Sequence, residues 1–178
     1  SYNSSLADQA FTNSLKGTAY DWNAGILYAP VPTTRIGLSY RSSFNLHAKG
    51  PSEFLGVKTQ ANANMKFPSK LLFSVDQKVN EKWDALASVF HTNWGQLQNL
   101  VINNASGGGI NPPGPQIINL HYKDTNLYSL GAIYHYTKQL TFSAGLGRDI
   151  SPVQDGYRDL RMPDTDRTDV GLGLAYQL

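Results

Sequence analysis

Four histidines are the side chains of this chain best suited to chemistry near neutral pH. They are His47, His91, His121 and His135, and no two stand at a metal-ligand spacing. Asp164-Thr165-Asp166 has the look of a two-carboxylate metal motif. Arg158, Arg161 and Arg167 surround it, so short-range ion pairs that pin a loop are the expected use. Cysteine is absent, which excludes disulfide frameworks, thiol catalysis and cysteine metal sites. No enzyme, catalytic residue, cofactor or metal is expected. The remaining charges of interest are Arg35, Arg41, Arg148, Asp76, Asp149 and Asp169, all expected on inward strand faces. There they form a ladder of ion pairs, or an arginine fork anchors a carboxylate head group.

Those residues must be held by a scaffold, and composition narrows it. The chain has 178 residues, a length for one domain. Charged residues are 16%, against the usual quarter or so. A net charge of +2 argues for no nucleic-acid partner. No stretch approaches the roughly 18 apolar residues of a membrane-spanning helix, and no signal peptide opens the chain. A membrane β-barrel stays open, because alternating strands are invisible to a hydropathy average.

Alternation dominates the chain. In 35–49, Ile36, Leu38, Tyr40, Phe44, Leu46 and Ala48 oppose Arg35, Gly37, Ser39, Arg41, Asn45, His47 and Lys49. Segments 127–136, 140–149 and 170–178 read the same way, and 18–30 and 70–79 less cleanly. Segment 83–96 drifts between faces, which predicts a bulge. About seven strands result. Tight turns at 30–34, 80–81 and 137–138 alternate with long connections at 50–69, 97–120 and 150–166. That alternation predicts an all-β, antiparallel up-and-down transmembrane barrel, with short turns on one rim and extracellular loops on the other. The polar faces are rich in Gly, Ser, Asn and Thr, while Tyr and Trp sit near the strand ends of the apolar faces, as interface girdles do. The 97–120 connection, with its Gly107-Gly108-Gly109 and Pro112-Pro113-Gly114-Pro115, reads as too irregular to pair. Residues 1–16, with Leu6, Phe11 and Leu15, suggest a short amphipathic helix at the end of an extracellular loop.

Four segments carry a resemblance. They are Trp22 to Tyr28 with Arg35 to Ser42; Trp83 to Trp94; Lys123-Asp124 with Tyr128 to Tyr134; and Asp149-Ile150-Ser151-Pro152-Val153, Arg158 and Pro163 to Arg167. In this order they resemble the FadL-type outer-membrane transporters of fatty acids and other hydrophobic compounds (the OMPP1/FadL/TodX family). The resemblance implies a fourteen-stranded monomeric barrel plugged by an N-terminal hatch, of which residues 17–178 supply about half. The missing strands or another chain would then be needed to close it, since sheet edges have no partner in lipid.

By resemblance, the function is passive uptake of hydrophobic small molecules across a Gram-negative outer membrane, with lipid or detergent as surroundings. The two loop segments at 1–16 and 50–69 match a hydrophobic groove, with Leu6, Phe11, Leu15, Phe54, Leu55 and Val57 as candidate ligand contacts, and Arg41 and Arg148 as candidate polar anchors. Fatty-acid members resemble one another in a basic head-group ligand shortly before the Lys-Asp pair. Here that stretch is Ile117-Ile118-Asn119-Leu120, which favours neutral hydrocarbons. The alternatives are a general porin or adhesive barrel without a hydrophobic site, and a soluble β-sandwich binding module.

Overall fold

The computed structural model describes residues 12–54, 56–106, 114–158 and 164–177. They form β1 (Thr12–Asn13), β2 (Lys16–Thr18), β3 (Asn23–Val31), β4 (Thr34–Arg41), β5 (Phe44–Phe54), β6 (Val57–Phe67) and β7 (Lys70–Lys78). They continue with β8 (Trp83–Thr92), β9 (Asn99–Ala105), β10 (Gly114–Asn119), β11 (Thr125–His135), β12 (Leu140–Asp149) and β13 (Arg167–Tyr176), plus a 3₁₀ turn at Trp94–Gln96. All pairing is antiparallel. The chain divides into two compact units, each with its own sheet.

The first unit holds a six-stranded sheet in the order β1-β5-β6-β9-β10, with β2 also on β5. Ala61, Ala63, Ile102 and Ala105 are buried on one face, and Leu15 packs on them. Small residues are needed here because chain passes close over the sheet. A Cβ on Gly50 would run into the Ser14 carbonyl. Two sequence expectations change in this unit. Of 1–16, residues 1–11, with most of the expected helix, lie outside the described residues, and Thr12 and Asn13 complete backbone pairing with Glu53 and Ser52. The 50–69 segment is the β5–β6 hairpin, its tip formed by Gly56 at φ +76°, rather than an open loop. The 97–120 segment pairs over its described ends, β9 with β10, with a register shift beside Asn104, which takes φ +54°, while Gly107, Gly108, Gly109, Pro112 and Pro113 lie outside the described residues.

The second unit holds a seven-stranded sheet in the order β13-β12-β11-β8-β7-β4-β3. The strand expected over 35–49 stops at Arg41. Ser42 turns back onto Trp22: its N–H donates to the Trp22 carbonyl, and its hydroxyl accepts the Trp22 N–H. Beyond it β5 pairs with β6 in the other sheet, and side-chain alternation cannot register such a change of partner. The bulge expected in 83–96 is absent, since β8 keeps unbroken register with β7 and β11. A register shift lies instead between Tyr28 and Val31, where Pro30 has no N–H for the ladder.

Two short turns are locked by side chains. Asn80 Oδ1 accepts the N–H of Lys82 and of Trp83. Thr137 Oγ1 accepts those of Gln139 and Leu140. Replacing Asn80 with alanine leaves both N–H groups without this partner and is expected to destabilise the intact protein by about 1 kcal/mol, the size of a lost cap. Denaturant unfolding in phospholipid vesicles measures it, and an unchanged midpoint would contradict the assignment.

Candidate functional site

Register sorts every side chain of the seven-stranded sheet onto one of two faces. The first face carries Ile36 and Leu38, Phe73 and Val75, Ala87 and Val89, Leu130 and Ala132, Ala144 and Leu146, Val170 and Leu172. It stays open: Leu172 is 85% and Val170 71% exposed. A soluble monomer seldom leaves an apolar patch above a few hundred Å² uncovered. At the short-turn end this face is bounded by a run of rings, Trp83 on Tyr134 at 4.6 Å, then Tyr136, then Phe142. At the opposite end Trp22 lies 5.3 Å from Tyr40. The strands run 8 to 11 residues, close to the tilted crossing length of about 9–11. Among the described residues no helix is long and apolar enough to cross a membrane.

The second face is mixed. Its centre is small and polar, with Ser74, Ser88 and Ser129 side by side on β7, β8 and β11. Nearer the long-connection rim runs an apolar band, Leu72, Phe90 and Leu127 in register. Nearer the turns lie Leu86 and Ile133. Charges flank these. Arg35 pairs with Asp76 across β4 and β7, and Arg41 with Asp21. Arg167 pairs with Asp149 across β12 and β13. These pairs are half exposed and contribute little stability each, but they neutralise the wall.

Hollows lie on this face. A trough of about 760 Å³ has Leu27, Leu86, Ile133, Ser88, Ser129 and the Arg35–Asp76 pair among its lining residues. A smaller pocket of about 230 Å³ at the rim is lined by Phe90, Leu127, Trp94, Ile150 and Pro152, with Lys70, Arg167, Asp149 and Asp164. The 3₁₀ turn brings Trp94 there, and Asp124 holds that turn by accepting the Gly95 N–H at 2.8 Å. Lys70 Nζ stands 5.8 Å from the centre of the Phe90 ring. Among the described residues Lys70 makes no ion pair.

The expected site residues scatter. Leu6, Phe11 and Leu55 lie outside the described residues. Leu15 packs into the core of the first unit. Phe54 and Val57 face each other across the β5–β6 tip, where Val57 is exposed. Arg41 is on the mixed face as expected, already bonded to Asp21. Arg148 is not inward. It stands in register with Tyr128 and Thr168 at the rim end of the apolar face, because it follows Leu146 at spacing two. It donates to Thr168 and to Asp166.

Ion pairing around 164–166 also differs. Arg158 pairs with Asp155, and Arg167 with Asp149, while Arg161 is outside the described residues. Asp164 accepts the Ser151 hydroxyl, and Asp166 accepts the Ser151 N–H. That N–H first, then the charges of Arg148 and Lys123, hold the Asp166 carboxyl below its ordinary value of 3.8, against some desolvation. A lowered value means the Ser151–Asp166 link is complete above 3.8 and is lost as pH falls through the lowered value. The amide shift of Ser151 should therefore titrate below 3.8, and a midpoint at or above it would contradict the link.

Lys70, Leu72, Phe90 and Leu127 were not legible as site residues. The signal was the poor alternation of β7 and β8, which arises because both their faces are partly apolar. No group of His, Asp and Glu among the described residues could hold a metal ion.

A face too apolar for water, ringed at its ends, backs a mixed face with hollows. The family model described as outer membrane protein transport protein (OMPP1/FadL/TodX) matches residues 3–178. The chain belongs to this family. A long-chain fatty acid transport protein of Escherichia coli O6:H1 is 29% identical over 91% of this chain and 40% of its own length. Outer membrane protein P1 of Haemophilus influenzae is 28% identical over 89% of this chain and 34% of its own. Among solved structures, a Pseudomonas aeruginosa FadL homologue superposes with a TM-score of 0.77 at 22% identity, over 88% of this chain and 39% of that one. The Pseudomonas putida toluene transporter TodX does so at 0.58 and 19%, over 91% and 41%. The chain thus spans about two fifths of the length of these relatives. The seven-stranded sheet is part of a FadL-type barrel of a Gram-negative outer membrane, and its apolar face is the one suited by chemistry to lipid.

Proposed function

We propose that the intact protein takes up hydrophobic small molecules across the outer membrane by passive movement through the barrel interior. The observation that carries this reading is the inward apolar band of Leu72, Phe90 and Leu127, opening on the rim pocket. A lumen built for water and ions has no use for such a band. An acyl or aromatic ligand gains roughly 0.8 kcal/mol per buried methylene there, and no covalent step is needed. Phe54 and Val57, paired at the β5–β6 tip, are candidate first contacts on the extracellular side. The rim pocket and the trough then offer successive sites, with exit gated by parts of the protein beyond this chain.

Relatives are named for long-chain fatty acids and for toluene. Lys70, which makes no ion pair among the described residues and stands beside the apolar band, favours a hydrophobic carboxylate. The uncharged 117–120 stretch favours a neutral hydrocarbon. Vesicles carrying the full-length protein should admit a radiolabelled long-chain fatty acid or toluene faster than protein-free vesicles, and a small sugar no faster. Equal admission of sugar and hydrophobe would assign a general porin instead.

A further inference from the structure

The sheet of the first unit has a second face, opposite its alanine core. Register places Lys16, Lys49, Asn62 and Asn103 in one row across β2, β5, β6 and β9. The next row holds Thr18, His47, Asn64 and Val101, and the one after it Asn45 and Lys66. Lys16, His47, Lys49, Asn64 and Lys66 are exposed. Among the described residues none of the three lysines makes an ion pair, and these rows hold no carboxylate. Glu53 sits two rows beyond, bridged to Lys58 at 3.6 Å.

Like charges set directly opposite in neighbouring strands are unfavourable, yet Lys16 and Lys49 are such a pair. The amides add donors. The Asn64 carbonyl oxygen is taken by His47 at 2.6 Å and that of Asn62 by the Asn103 amide at 3.3 Å. The NH₂ groups of Asn62 and Asn64 are left to donate outward. Lys16, Lys49 and Lys66 set ammonium groups on three neighbouring strands, β2, β5 and β6, about 4.8 Å apart, with the amides of Asn62 and Asn64 between and beside them.

We propose that this face binds the phosphorylated saccharide of the outer leaflet's lipopolysaccharide. Ammonium groups that make no ion pair among the described residues, interleaved with amide donors, complement phosphate and sugar oxygens together. The barrel's membrane is where that glycolipid is dense. The proposal rests on the reading that puts the long connections outside the cell.

The test uses the full-length protein in detergent, titrated with purified lipopolysaccharide. The Lys16→Gln, Lys49→Gln, Lys66→Gln triple variant should bind at least about tenfold more weakly, and wild-type binding should fall similarly at high salt. Chemically dephosphorylated lipopolysaccharide should bind wild type no better than the variant binds the intact glycolipid. Lys58→Gln, whose lysine is already paired, is the matched charge control and should change nothing. Equal binding by wild type and triple variant overturns the proposal. So does full displacement by millimolar inorganic phosphate, which marks a simple anion site. Labelling of Val57→Cys, exposed at the hairpin tip on the opposite face from the lysines, on intact cells separates the two readings. A labelled protein without the binding difference overturns the glycolipid site alone, and an unlabelled one overturns the extracellular placement. Unchanged transport of hydrophobe by the triple variant shows that it is folded.

Discussion

Leu172→Arg should destabilise the intact barrel by about 2–4 kcal/mol, whereas Gly171→Arg, one residue away, should be nearly neutral. The two side chains lie on opposite faces of β13. Leu172 is the middle residue of the outward series Tyr176, Leu174, Leu172, Val170 and Thr168, so it sits near the depth where a charge is most costly in lipid. A Cβ at Gly171 meets nothing within 4 Å, and its face borders the trough. Water would reverse the outcome, because an arginine replacing an 85% exposed leucine on a soluble protein is harmless. Unfolding in vesicles, followed by Trp fluorescence, measures both variants. Equal effects would remove the lipid-facing assignment.

The second large effect concerns the rim pocket. Lys70, Arg167, Asp149 and Asp164 balance one another in charge there. Lys70→Glu turns the pocket acidic against an arriving carboxylate. A charge-assisted hydrogen bond is worth roughly 1.5–3 kcal/mol, so its loss alone predicts about a 10- to 150-fold weaker affinity. Repulsion adds to that. Toluene carries no charge and should bind the variant as it binds the wild type. Isothermal titration of both ligands into the full-length protein decides the matter. A fatty acid bound equally by both proteins would place its head group elsewhere, and the neutral-hydrocarbon reading would gain.

Much of this architecture was legible from alternation. Strands β11, β12 and β13 were readable because each has one face that is apolar from its turn end to near the rim, Leu130, Leu146 and Val170 standing in register on it. The aromatic rings at strand ends pointed to two interfaces for the same reason. What failed did so where alternation carries no information. Ser42 ends β4 through bonds to Trp22, and no local pattern announces that the next residues belong to another sheet. The charge of Arg148 suggests an inward place, although spacing from Leu146 puts it on the apolar face, where the rim lets its guanidinium reach Asp166. The apolar band was hidden because Leu72 and Phe90 made β7 and β8 look irregular rather than two-sided.

The chain by itself determined that strands of crossing length turn one greasy side outward, since period two is written in consecutive residues. Only the tertiary structure decided which neighbours share a row. The Lys70 pocket and the Lys16–Lys49 face exist through register between segments tens of residues apart, and pairing across that distance is set by the whole sheet.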